Sequence, residues 1–235
     1  MVIRARLEMA EEATGRLLDS LVEVDDAWCR APSLLSGWSR GHVLTHLARN
    51  ADGLRGMVAG AAEGREVTMY GPGDAREKDI EAGADRSASA LVDDVRQSAS
   101  ALFATCLGAD DAVWEATPEW RNGRRQPLSD VPVARVVEVE LHRVDLGAGY
   151  SPAEWPAPHA SLLLDSALAR LAGAPDPPAV RVRVDGEDTS RGSDAPDAVL
   201  VSGTAADLVV WLTARGDGEG LRCDRPLPAL PAAWS

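Results

Sequence analysis

The chain opens on a helical pattern. From Val2 to about Val22, Leu7, Ala10, Ala13, Leu17, Leu18 and Leu21 recur at spacings of three and four, which gives one apolar face. Residues 30–38 carry Pro32 and Gly37 and read as a connection. Ser39 is a fitting N-cap for a helix to about Ala62, with Gly64 just beyond its end. Its buried side would hold Val43, Leu44, Leu47, Leu54, Met57 and Val58. Gly64, Gly71, Pro72 and Gly73 mark a loop that carries Met69 and Tyr70. Further helices are predicted from near Asp74 and from Ser87 to Leu107, then a connection over residues 108–128. A last helix of this half starts near Ser129, tolerates Pro132 in its first turn, and is closed by Gly147.

The pattern changes after Pro152, Pro156 and Pro158. Ala160 to Ala172 is again helical. Val180-Arg181-Val182-Arg183-Val184 alternates as a half-buried strand, and Ala198–Ser202 is a second strand. A helix follows from Gly203 or Thr204 to about Ala214, and Gly218–Arg222 is a candidate short strand. The expected architecture is α+β. Residues 1–150 form an antiparallel four-helix bundle, and 151–235 a small α/β domain near the lower end of independently stable sizes.

Composition narrows the setting. The 235 residues carry a formal charge of −13. A pI near 4.7 argues against nonspecific binding to nucleic acid or to anionic membranes. No apolar run is long enough for a membrane span. The first 25 residues are charged throughout, so no secretory signal is read there. Cys29, Cys106 and Cys223 are isolated and form no CxxC pair, which points to the cytoplasm and away from a disulfide framework or a thiolate zinc site. Lys78 is the single lysine, so amine chemistry has one possible carrier.

The histidines are few: His42, His46, His142 and His159. His42 and His46 are four residues apart on one predicted helix and share a face. Glu138 and His142 do the same on another. Inward pairs from two bundle helices can converge on one cation, and two imidazoles with one carboxylate suit zinc. Either pair alone is equally a local helix contact. Glu140 and Asp145 are further acidic candidates, so spacing does not single out one carboxylate.

The stretch Gly37-Trp38-Ser39-Arg40-Gly41-His42-Val43-Leu44-Thr45-His46-Leu47-Ala48-Arg49-Asn50-Ala51 resembles the signature of mycothiol-dependent maleylpyruvate isomerases. Glu138 to Gly147, ending Val144-Asp145-Leu146-Gly147, resembles that family's second motif. Met69-Tyr70, Arg76 to Gly83, Val201-Ser202-Gly203, Arg215-Gly216 and Trp234 extend the likeness over nearly the whole chain. The resemblance implies a DinB-like helical bundle with a small C-terminal domain. It implies a divalent metal, usually zinc, on His46, Glu138 and His142, with mycothiol as thiol cosubstrate. His42 is then a catalytic neighbour outside the ligand set, Tyr70 and Arg76 are cofactor-binding candidates, and Arg215 matches a functionally important arginine. Asp145 is placed to orient a ligand imidazole. Arg49 and Arg76 are weaker candidates for substrate carboxylates.

The expected reaction is cis–trans isomerisation of maleylpyruvate to fumarylpyruvate by reversible thiolate addition. The expected partners are a small-molecule substrate and a low-molecular-weight thiol, in a monomer or small homo-oligomer. A mycothiol S-transferase acting on another electrophile would use the same centre. A metal-dependent hydrolase with Glu140 or Asp145 as base, and a noncatalytic module with a vestigial site, are the remaining alternatives.

Overall fold

The computed structural model describes residues 2–70, 73–121 and 123–231. Gly71 and Pro72 of the glycine-rich loop, and Trp234 of the tail, lie outside the described residues. The chain divides into two compact units, Met1–Gly149 and Tyr150–Ser235.

The first unit holds α1 (Val2–Asp19), α2 (Asp26–Arg30), α3 (Arg40–Ala62), α4 (Ala75–Gly83), α5 (Ala88–Leu107), α6 (Asp111–Glu115) and α7 (Val131–Asp145). Caps set the boundaries. The Asp25, Ser39 and Ser87 side chains each accept from a backbone N–H in the first turn of α2, α3 and α5, groups that no intrahelical carbonyl reaches. The short helices α2 and α6 were not apparent from periodicity, since five residues cannot display it.

Two apolar layers fix the directions of the four long helices. One joins Leu17 late in α1 and Leu21 just past its end, Val43 to Ala48 early in α3, Ala88 to Val95 early in α5, and Val139 of α7 with Leu146 just past its end. The other joins Leu7 of α1, Leu54 to Val58 of α3, Leu102 and Cys106 of α5, and Leu128 with Val131 at the start of α7. So α1 and α7 run one way, and α3 and α5 the other. The bundle is antiparallel as two opposed pairs rather than helix by helix.

That order has a consequence for the site. Because α3 and α5 are parallel, the chain between them must return along the bundle, and the described residues around Met69 and Ala84 lie against α3. Two glycines of α3 make room for this. A Cβ on Gly53 would lie 2.7 Å from the Met69 carbonyl oxygen, and one on Gly41 would collide with the Ala84 carbonyl. The returning segment thereby brings Tyr70 and Arg76 beside α3.

In the second unit α8 (Ala157–Ala172) and α9 (Ala205–Leu212) pack together. The strands β1 (Val180–Val184), β2 (Arg191–Gly192), β3 (Val199–Gly203) and β4 (Arg222–Cys223) form a sheet in the order β2-β1-β3-β4. β1 and β3 are parallel, and the two edge strands are antiparallel to them. Val180, Val182 and Val201 are buried, as the alternation predicts. β4 lies slightly later than the predicted Gly218–Arg222, and β2 is too short to leave a pattern. The protein is thus mixed α+β. Among the described residues, no helix is long and apolar enough to cross a membrane.

Candidate metal centre

α3 supplies His46 and α7 supplies Glu138 and His142, one turn apart. Their donor atoms converge. His46 Nε2 lies 2.8 Å from Glu138 Oε2 and 2.9 Å from His142 Nε2, and His142 Nε2 lies 3.5 Å from Glu138 Oε2. Ligands ~2.0–2.2 Å from a common cation at tetrahedral angles would be about 3.4 Å apart. The His142–Glu138 side has that length, and the two sides at His46 are shorter, at 2.8 and 2.9 Å, so the three donors face a common point that a divalent cation could take with a small movement of His46. The three residues therefore fit a divalent metal of the zinc type. Among the described residues they are the one group of three or more His, Cys, Asp or Glu side chains so arranged.

Neighbouring groups orient the ligands. His142 Nδ1–H donates to Asp145 Oδ2 at 2.8 Å, which turns the Nε2 lone pair toward the triangle. Asp145 is itself buried. The His46 and His142 rings meet edge to face, 4.5 Å between centroids, and Trp38 lies 5.7 Å from His46. Arg76 Nη2 donates to His46 Nδ1 at 2.8 Å, with its guanidinium 5.6 Å from the centre of the Tyr70 ring.

The charge states follow from burial and from these contacts. Burial, reinforced by the positive charges of His142 and Arg76, lowers the His46 pKa to about 4. Burial also opposes charge on His142, but hydrogen bonds to Asp145 and Glu138 outweigh it and raise its pKa. Burial would raise the Glu138 pKa, and the two histidines reverse that, holding it well below the carboxylate range. Burial raises the Tyr70 phenol, and the charge of Glu138 adds to this.

Other sequence candidates have separate places. His42 sits in the first turn of α3, where its Nδ1 accepts from the Ser39 backbone N–H at 3.2 Å, completing a capping box. Its Nε2 meets Glu81 at 3.1 Å. Arg49 is held by Asp94 at 2.6 Å and Asp52 at 3.1 Å, an ion-pair network that also takes Arg86. Glu140 faces α1 and pairs with Arg16, away from the triangle. Arg215 belongs to the second unit, follows α9, and donates to the Thr213 carbonyl at 3.3 Å.

Arg135 escaped the sequence reading. It is fully buried, and its Nη1 donates to the Leu47 carbonyl at 2.8 Å and to Asn50 Oδ1 at 3.0 Å. Burial lowers its pKa to about 10, against the opposing charge of Glu138. The signal was available: Val131, Arg135, Glu138 and His142 follow one helical stripe.

The chain is similar in fold to proteins of known structure. Two crystal structures, of a mycothiol-dependent maleylpyruvate isomerase and of a histidine-to-alanine mutant of it, each superpose with a TM-score of 0.85. They are 27% and 26% identical in sequence, over 97% of this chain and 96% of those chains. No curated protein matches the chain. Residues 10–147, more than half of the chain, match the family model of the mycothiol maleylpyruvate isomerase N-terminal domain, and with its three converging donors in that region the chain belongs to the mycothiol-dependent maleylpyruvate isomerase family.

Proposed function

We propose that this protein is a metal- and mycothiol-dependent isomerase that converts maleylpyruvate to fumarylpyruvate. The observation that carries the reading is the meeting of His46, Glu138 and His142 at one point within the family-matched region. A divalent cation held there, zinc being well suited to two imidazoles and a carboxylate, would supply the positive charge that favours thiolate over thiol near neutral pH. Reversible addition of a thiolate to the substrate's conjugated double bond would leave a single bond free to rotate before the thiolate departs.

The protein's own groups act around that chemistry. Asp145 fixes the His142 tautomer, and the Trp38 ring shields the His46 side of the centre. Tyr70 keeps its proton at neutral pH, because burial raises its pKa, and offers an O–H donor to a substrate oxygen. Arg76 is the guanidinium nearest the centre. Arg215 is proposed as a carboxylate-binding group on the family resemblance, and His42 as the anchor of the first turn of α3 rather than a proton carrier.

The direct test is turnover of maleylpyruvate with and without mycothiol and zinc. Isomerisation that needs both supports the reading. Thiol-independent hydrolysis would replace it with a hydrolase, and stable thiol adducts of other electrophiles with a transferase. In the same assay Arg215→Ala should leave metal content intact and reduce the rate.

Two further outcomes concern the ligands. Asp145→Asn removes the carboxylate that receives the His142 Nδ1–H, and should weaken zinc affinity by about 10–100-fold in competition with a chelator. The pH dependence has a defined sign. Of the three donors only His142 has a raised pKa, while His46 is already neutral and Glu138 already ionised at pH 7. Protons on His142 compete with metal below its pKa, so apparent affinity should rise with pH at a slope of about one and flatten above that pKa. Calorimetry in two buffers of different ionisation enthalpy reads the proton count, and a slope near two would place a second proton on the centre.

A further inference from the structure

The two histidines of the triangle are held in opposite tautomers. A guanidinium carries N–H donors and no acceptor. Arg76 Nη2 lies 2.8 Å from His46 Nδ1, so Nδ1 accepts and a neutral His46 carries its proton on Nε2. Nε2–H then donates to Glu138 Oε2 at 2.8 Å. In that form His46 has no Nε2 lone pair for a cation. His142 is set the other way, with Nδ1–H donated to Asp145 and the Nε2 lone pair facing the triangle. Ligation by His46 requires its proton to move to Nδ1, and Arg76 cannot accept it there.

We propose that Arg76 and a divalent cation compete for His46, so that metal loading switches the His46 tautomer and frees the Arg76 guanidinium to grip a carboxylate of the substrate. The inference rests on the metal-centre reading above. Three features of Arg76 favour it. Its side chain is only 9% exposed, so the guanidinium leaves His46 within the site region rather than into solvent. Its Nε is buried without a hydrogen-bond partner, its ion-pair partner, Glu77 at 3.0 Å, is the adjacent residue on α4, and its other contact is the Tyr70 side chain, whose ring centre is 5.6 Å away. A dication close to a guanidinium also repels it, an effect of the same sign as the tautomer conflict. A freed guanidinium offers paired donors that match a carboxylate, and the proposed substrate carries two. By linkage, a carboxylate that takes Arg76 from His46 tightens the metal, and the metal tightens the carboxylate by the same factor.

The test uses the full chain at constant pH. Long-range proton–nitrogen NMR of four histidine rings should show His46 with its proton on Nε2 without added metal and on Nδ1 after zinc addition. Arg76→Met keeps the apolar stem and removes the donors, and should bind zinc at least about fivefold more tightly than wild type. Saturating maleate, a dicarboxylate probe, should tighten zinc in wild type and not in Arg76→Met. A His46 already protonated on Nδ1 before zinc addition, or zinc affinity unchanged or weakened in Arg76→Met, overturns the competition. An equal maleate effect in both proteins overturns the carboxylate role. Zinc binding by neither protein overturns the metal-centre reading and the competition together, whereas equal binding by both overturns the competition alone.

Discussion

Glu138→Gln should abolish stoichiometric zinc binding and, on the proposed function, take thiol-dependent turnover with it. Glu138 is the one anionic donor of the triangle, with Oε2 2.8 Å from His46 Nε2 and 3.5 Å from His142 Nε2. Glutamine has the same size and reaches the same place, so the variant tests charge rather than shape. What remains is two neutral imidazoles and an amide oxygen facing a dication in a buried site. Loss of an outer hydrogen-bond partner already costs about 10–100-fold in metal affinity, and loss of a ligand exceeds that. The substitution also removes a negative charge close to buried Arg135, so the region of α7 becomes electrostatically less balanced as well. Elemental analysis after gel filtration and the mycothiol-dependent rate read the two effects together. A glutamine variant that retains one zinc per chain and isomerises normally would leave the triangle as a hydrogen-bonded cluster with no metal role.

The parts of this site that were legible in the sequence are those set by helical spacing. Glu138 and His142 had to share a face, and His46 had to lie on the helix capped by Ser39. Spacing could not choose among Glu138, Glu140 and Asp145; the family motif made that choice. The structure supplies its physical basis, because Glu140 lies two residues from Glu138, about 200° round the helix, and turns to Arg16. His42 shows a limit of the same rule. It shares a face with His46, but the first turn of a helix has unsatisfied N–H groups, and the cap claims its Nδ1. Periodicity also says which side of a helix is buried, not which helix it meets. The pairing of α1 with α7 and of α3 with α5, and hence the path that carries Arg76 to His46, follows from contacts between residues far apart in the chain. Arg135 shares a helical stripe with Glu138 and His142, but spacing does not say what would receive a buried guanidinium, and Leu47 and Asn50, which do, are far away in the chain.

Leu47→Ala should separate the stability of the bundle from the affinity of its centre. Leu47 follows His46 directly, about 100° round α3, and is fully buried in the apolar layer with Leu17, Leu21, Leu44, Leu91 and Val139. Truncation at such a position removes transfer free energy and leaves a cavity, together about 2–5 kcal/mol. At about 2–4 °C per kcal/mol for a unit of this size, the melting temperature should fall by about 4–20 °C. Zinc bound only by the folded form would stabilise it by about 4.1 kcal/mol at a thousand times its Kd. If Leu47 supports the fold and not the ligand geometry, zinc raises the stability of wild type and Leu47→Ala by equal free energies, while Glu138→Gln shows no zinc increment. A fall below about 1 kcal/mol would contradict the close packing of this layer. A smaller zinc increment in Leu47→Ala than in wild type would show instead that the layer beneath His46 holds the imidazole in its ligating position.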